Sequence, residues 1–432
     1  MVTAAENRPP SALTGMVIIG LLFFIFGFVT WLNATLIPYL ELTCDLKHEW
    51  QAYLVTFAFY ISYFVMALPS SYILGKTRLK KGMMLGLWVM AVGALLFLPA
   101  ALTRTYGLFL LGLFVCGAGL ALLQTASNPY VIILGKPESA ARRVSIMGIC
   151  NKLAGALSPL ILGAVVLGNY DELTASLGAM TELERVAALN ALSAKAVLPY
   201  AIMAGSLFLL GLLVWFSALP DLDDPPMLSD GPVGSFRKSI FSFPHLWFGV
   251  LALFFYVGVE VVAIDTITKY GVSDVVGLGM EQARRFPTYS MFALMIGYLM
   301  GIAAIPRLVS QQKALALCAA AGFVFVLCAI LVPGPWSIWF IVLLSLAHAL
   351  MWPAIFPLAI FGLGRFTKTG SALLIMAIAG GAILPLVYSL LSVNMGFGPR
   401  MAYLIALPGY LIIGWFALSG HKAGMPRSIY NA

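Results

Sequence analysis

The chain is 432 residues long, 61% apolar and only 10% charged, a balance far from that of soluble globular domains. Its formal charge of +8 falls in short Lys/Arg clusters between apolar runs, which suits orientation in a membrane and argues against nucleic-acid binding. The five cysteines, Cys44, Cys116, Cys150, Cys318 and Cys328, lack paired metal spacing, so neither a disulfide framework nor a thiolate metal centre is implied.

Apolar runs of about twenty residues match a hydrocarbon core roughly 30 Å thick at 1.5 Å per helical residue, whereas barrel strands would read as short alternating segments. The expected fold class is therefore an all-α membrane protein. In chain order, spanning helices are predicted at 15–39, 50–75, 82–102, 106–134, 143–167, 196–219, 246–270, 287–309, 313–332, 335–363, 370–393 and 400–419, twelve in all. The first run has no small-residue cleavage site and continues into Pro38, so it reads as a retained helix and not a signal peptide.

Sixteen of the twenty-five basic residues fall on one side of this layout: Arg8, Lys76, Arg78, Lys80, Lys81, Lys136, Arg142, Arg143, Arg237, Lys238, Arg307, Lys313, Arg365, Lys368, Lys422 and Arg427. The positive-inside rule makes that side, and both termini, cytoplasmic. Lys152 alone among the basic residues lies within a span.

Two connections are long. The segment from Asn169 to Lys195 is acidic and Ala/Leu-periodic, which predicts an amphipathic helix on the outer surface. "PDLDDPPMLSDGPVGSFRKS", from Pro220 to Ser239, is rich in Pro, Gly and Asp and reads as a linker. The expected organisation is an amino-terminal six-helix half over 1–219, a cytoplasmic linker over 220–242 and a carboxy-terminal six-helix half over 243–432.

The two parts echo each other. "FFIFG" at Phe23 matches "FFYVG" at Phe254, offset by 231 residues. "NPYVIILG" resembles "FPLAIFGLG" with Pro129 over Pro357, offset by 228. "SIMGICNKLAGALSP" resembles "SALLIMAIAGGAILP" with Pro159 over Pro385, offset by 226. Three matches in order at nearly constant offset point to parallel repeats related by an axis along the membrane normal.

"WLNATLIPYL" ending helix one, "LLQTASNPYVIILG" in helix four, "CNKLAGALSP" and the late "SALLIMAIAGGAILP" together resemble the fucose–galactose–cation symporter family of the major facilitator superfamily, over nearly the whole chain. The "LLQTASNPY" form is nearer the glucose/galactose and N-acetylhexosamine branch. The resemblance implies the major facilitator fold and a secondary active sugar transporter in a bacterial inner membrane. Its expected action is cation-coupled uptake of a hexose, with H+ or Na+ as coupling ion and no further cofactor. One chain carrying two repeats would suffice as a monomer. A facilitative uniporter or a drug or metabolite antiporter on the same fold are the alternatives. No metal cluster, nucleophile signature or phosphate loop argues for an enzyme.

The chain also departs from this family. Fucose permease carries an aspartate directly after the asparagine of helix one and a glutamate at the start of the helix-four signature, both tied to proton coupling. The matching positions here are Ala34 and Gln124, neither of which titrates.

Of the seventeen acidic residues, only Glu260 and Asp265 fall within a predicted span. An ionisable group at mid-membrane costs roughly 2.5–3.5 kcal/mol on insertion scales and normally faces a partner or a cavity. Both are candidate cation-coupling residues, with Asp265 at the repeat position of Ala34. They stand about 140° apart around an ideal helix and about 7.5 Å apart along it, so they need not share a face. The bland reading of Asp265 is an ion pair with Lys269 at i+4; that of Glu260 is a buried pair with Lys152.

Sugar recognition needs donors and acceptors at mid-membrane, and an amide provides both. Gln124 and Asn128, four apart on helix four, join Asn33 and Asn151 as candidate substrate-binding residues, with Lys152 beside them. The same amides would also serve as interhelical glue. Trp352, Tyr256 and Trp31 are candidate surfaces for the apolar face of a sugar, and His348 is a candidate donor or titrating group. The glycines and prolines of "AGALSP" and "AGGAILP" are expected to permit close packing and bending.

Overall fold

A computed structural model describes residues 12–133, 140–168, 170–217, 219, 239–305, 308–363 and 366–425. The predicted linker lies outside the described residues as far as 238, as do Arg8, Lys136, Arg237, Lys238, Arg307, Arg365 and Arg427 from the orientation count.

Among the described residues, eleven helical stretches are long and apolar enough to cross a membrane. One of them, Trp50–Thr103, runs for 54 residues. At 1.5 Å per residue it would be about 80 Å long, far more than one bilayer needs. It is two spans joined at Arg78, whose φ of 62° and ψ of 176° interrupt the helix. Among the described residues that makes twelve stretches long and apolar enough to cross a membrane, matching the expected number.

Several spans are broken, and local chemistry explains where. The first runs as Ala12–Thr30 and then Asn33–Thr43. Beside this break the Thr30 hydroxyl donates back to the Phe26 carbonyl at 2.7 Å. The seventh runs as Pro244–Asp265 and Ile267–Val272, and at its break the Thr266 hydroxyl donates to the Val262 carbonyl at 2.6 Å.

The tenth, expected as one helix over 335–363, is Ser337–His348 followed by Met351–Ile360. Pro353 has no N–H for the carbonyl four residues back, at Ala349, where the helix parts. Pro357 likewise frees the Pro353 carbonyl, which accepts the Gln311 side-chain amide of the ninth span (Gln311–Leu331) at 3.3 Å. In the eleventh span, Thr367–Met376 and Gly380–Ser389 flank a short 3-10 turn.

The outer segment expected to form one amphipathic helix forms two, Tyr170–Leu177 and Glu182–Ala194. Thr181 starts the second with a reciprocal capping box to Glu184, so it begins where a cap is available and not where the apolar periodicity begins.

Glycines set how closely the central spans approach. A Cβ on Gly380 would collide with the Phe254 carbonyl of the seventh span. A Cβ on Gly381 would lie 3.1 Å from the Tyr60 ring of the second span and 3.0 Å from Val261. The outer surface is apolar, with Phe216, Leu209 and Leu411 each more than 60% exposed, as a lipid solvent requires.

Candidate functional site

At the centre of the bundle, the Lys152 ammonium of the fifth span (Ala140–Val166) meets the Glu260 carboxylate of the seventh at 3.2 Å. Lys152 is 7% and Glu260 6% exposed, so each charge depends on the other for compensation. The Tyr256 hydroxyl, one turn below Glu260, donates to its second oxygen at 3.0 Å. Lys152 also lies over the Trp31 ring, 4.3 Å from the centroid, where the break in the first span has placed it.

The chain of contacts continues into the tenth and twelfth spans. Tyr256 meets the His348 ring edge-on at 6.2 Å, and His348 Nε2 lies 2.6 Å from the Tyr410 hydroxyl. Trp31, Lys152, Glu260, Tyr256, His348 and Tyr410 therefore connect five spans through one polar path. Parts of this path are unsatisfied: Trp31 Nε1 and His348 Nδ1 are buried without hydrogen-bond partners.

Asp265 lies about 7.5 Å further along the seventh span. It is fully buried, and the Thr56 hydroxyl donates to Oδ2 at 2.9 Å. Oδ1 has no partner. Asn33 lies beside this carboxyl, close enough to interact, yet its amide forms no completed hydrogen bond.

The expected i+4 pair between Asp265 and Lys269 does not form. The helix is interrupted at Thr266, and Lys269 is held instead by Glu41 of the first span, with Oε2 at 2.7 Å.

The amides of the fourth and fifth spans are placed less uniformly than their spacing implied. Gln124 is half-buried and donates through Nε2 to the Tyr63 hydroxyl at 2.9 Å. Asn128 is half-buried one turn on. Asn151 donates to the Phe23 carbonyl at 3.3 Å and so ties the first span to the fifth. Trp352 stacks on Phe356 with centroids 5.7 Å apart, and the break before Met351 puts it on a different segment from His348.

Three residues of the second span were not singled out from sequence. Thr56, Tyr60 and Tyr63 stand at i, i+4 and i+7, on one helical face, but nothing in the sequence says that this face turns inward. Thr56 reaches Asp265, Tyr63 accepts from Gln124, and Tyr60 stacks on Tyr63 at 6.2 Å. The Tyr60 hydroxyl is buried without a partner.

A seam of polar contacts joins the first and fifth spans to the seventh and eighth. Besides Lys269 and Glu41, the Arg284 guanidinium donates to the Gly163 carbonyl at 2.6 Å. The Thr288 hydroxyl donates to the Ala156 carbonyl at 2.8 Å, and Asp171 accepts the backbone N–H of Met280 at 3.0 Å. Outside the membrane, hydrogen bonds first from Arg284 and then from Arg285 hold the Glu281 carboxyl below its ordinary pKa.

The pattern of the Major Facilitator Superfamily matches residues 19–384. A glucose/galactose transporter of Brucella abortus is 35% identical over 98% of this chain and 97% of its own length. The L-fucose-proton symporter of Escherichia coli is 32% identical over 89% of this chain and 88% of its own. The crystal structure of FucP in the outward conformation superposes with a TM-score of 0.73 at 29% identity, covering 94% of this chain and 98% of that one. The chain belongs to the Major Facilitator Superfamily, a family of transporters and not of enzymes, and within it to the fucose–galactose–cation symporters.

Proposed function

We propose that the protein is a sugar transporter that takes up a hexose by cation-coupled alternating access. The observation that carries this reading is the closed polar centre, where Trp31 Nε1, His348 Nδ1 and the Tyr60 hydroxyl are buried with nothing to bond. Leaving such groups unpaired costs about 1–3 kcal/mol each. A ligand with several hydroxyls and an apolar ring face relieves that cost, and the relatives named for glucose, galactose and fucose support the choice of ligand class.

In this reading Gln124 and Asn128 offer amides to the hexose, Trp31 and Trp352 offer ring faces, and His348 offers Nδ1. Lys152, paired with Glu260 whose other oxygen accepts from Tyr256, donates to a sugar oxygen. Asn151 positions the fifth span against the first. The halves 1–219 and 243–432, joined by the linker 220–242, rock about this centre. The outer seam of Glu41, Lys269, Arg284 and Asp171 parts as the outward side opens. Both termini are cytoplasmic, the membrane is the bacterial inner membrane, and one chain transports alone.

The test is binding of D-glucose, D-galactose, N-acetylglucosamine and L-fucose to the purified protein, read by tryptophan fluorescence and calorimetry. One hexose is expected to bind, and Gln124→Ala and Trp31→Ala to weaken it at least tenfold. Indifference to all four sugars would overturn the reading.

A further inference from the structure

We infer that Tyr410 of the twelfth span is a positioning residue: its hydroxyl fixes the tautomer of His348, so that Nδ1 faces the ligand as a hydrogen-bond donor and selects an oxygen that accepts. The inference rests on the transport reading for the ligand, a hexose. It adds the direction of one bond and the residue that sets it.

His348 ends the first segment of the tenth span and is 0% exposed. The central carboxylate, Glu260, is already engaged by Lys152 at 3.2 Å and by the Tyr256 hydroxyl at 3.0 Å. Among the described residues no carboxylate bonds the imidazole, so the buried ring is neutral. A neutral imidazole carries one proton, and the partner of one nitrogen decides which nitrogen holds it.

That partner is Tyr410. Its hydroxyl lies 2.6 Å from His348 Nε2, and the two ring planes are 16° apart. Tyr410 is 2% exposed, and among the described residues Nε2 is the one group its hydroxyl bonds. If Nε2 held the proton, the phenol would accept it and its own O–H would have no acceptor. The Nδ1 lone pair would be bare as well, leaving two buried groups unmet. With the proton on Nδ1, the phenol donates to Nε2 and only the Nδ1 N–H is left over. One buried unmet group costs about 1–3 kcal/mol, which is enough to decide between the tautomers.

Packing keeps the phenol in place. A Cβ on Gly322 of the ninth span would collide with the Tyr410 ring, and one on Gly409 would lie 3.3 Å from Phe255 and Val259 of the seventh. The twelfth span is thus pressed against both neighbours, with the Tyr410 hydroxyl against Nε2. Tyr410 itself need not touch the hexose. It acts through His348, whose N–H must find a lone pair, and a sugar without an oxygen at that place strands a buried donor.

The experiment uses the full-length protein with 15N-labelled histidine rings, whose NMR signals report the tautomer. The chain has four histidines, and His348→Asn removes one signal and so identifies it. Wild type is expected to hold the His348 proton on Nδ1. Tyr410→Phe should bring up the Nε2–H form, while unchanged signals from His48, His245 and His421 report an intact fold. Binding of D-glucose, D-galactose, N-acetylglucosamine and L-fucose is read alongside, and Tyr410→Phe should weaken the hexose that binds by about tenfold. In His348→Asn the amide nitrogen stands near the place of Nδ1 and donates whatever Tyr410 does, so adding Tyr410→Phe should cost nothing further. A proton on Nε2 in wild type, a tautomer unmoved by Tyr410→Phe, or an equal loss from Tyr410→Phe in the His348→Asn background would each overturn the inference. A tautomer that responds to Tyr410→Phe in a protein that binds none of the four sugars would sink the transport reading and leave the positioning role standing.

Discussion

Lys152 and Glu260, 108 residues apart in the chain, meet at 3.2 Å in a part of the bundle almost closed to solvent. Removing one partner of a buried pair strands the other charge, at a typical cost of about 3–5 kcal/mol, whereas removing both leaves nothing uncompensated. Glu260→Gln and Lys152→Met are each expected to lower the unfolding temperature sharply, and the double variant to recover much of the loss. Thermal unfolding of the four proteins closes a double-mutant cycle. A double variant as unstable as the sum of the singles would show that the charges are not coupled.

Tyr256 bears on Glu260 from one turn away, with its hydroxyl 3.0 Å from Oε2. A hydrogen bond to a charged group contributes about 1.5–3 kcal/mol. Tyr256→Phe keeps the ring against His348 and deletes only that bond, so it should destabilise by that order and weaken hexose binding. A tyrosine that served only as a packing surface would tolerate the change.

Gly155 tests the close packing around Trp31. A Cβ at Gly155 would lie 2.5 Å from Trp31 Cδ1 and 3.0 Å from Met291 Sδ, so the indole must shift away from its place under Lys152. Gly155→Val should leave membrane expression measurable and lower hexose affinity at least tenfold. Wild-type affinity would mean that the position of Trp31 is immaterial.

The outer seam is expected to be a moving contact. Joining Glu41→Cys to Lys269→Cys with a short bifunctional thiol reagent, in a background with the five native cysteines replaced, should stop transport. A reducible version of the reagent should restore it on reduction. Undiminished transport in the linked protein would show that the seam does not open.

Acidity has a defined effect at this seam. The folded pKa of Glu281 lies below its unfolded value because Arg284 and Arg285 bond its charged form. Its contribution is therefore complete above the unfolded carboxylate pKa and is lost as pH falls through the lower folded value. Glu281→Gln should consequently behave the same at pH 7 and pH 6 relative to wild type, and the difference should shrink only under stronger acid. Unfolding curves across that range check the sign.

The twelve spans were legible because lipid leaves a backbone little choice but a helix, so apolar length alone reports them. Their breaks were less so. Those near Thr30 and Thr266 coincide with hydroxyls that bond back to the ladder, but Thr125 does the same inside the unbroken fourth span, so a threonine alone does not mark a break. Lys152 and Glu260 stood out as charges where charge is expensive. Thr56, Tyr60 and Tyr63 did not, since hydroxyls and aromatics are ordinary in membrane helices and packing decides which face turns inward. The Asp265–Lys269 pair failed as an expectation because i+4 geometry needs an unbroken helix, and because Glu41 arrives from 228 residues away in the chain.

The most direct test of the transport reading is uptake of radiolabelled glucose, galactose, N-acetylglucosamine and fucose into proteoliposomes under an imposed inward gradient of sodium or protons. One hexose should accumulate above its equilibrium level, and the accumulation should collapse when an ionophore dissipates the driving gradient. Uptake that merely equilibrates under every gradient, or no uptake of any of the four, would contradict a cation-driven sugar transporter.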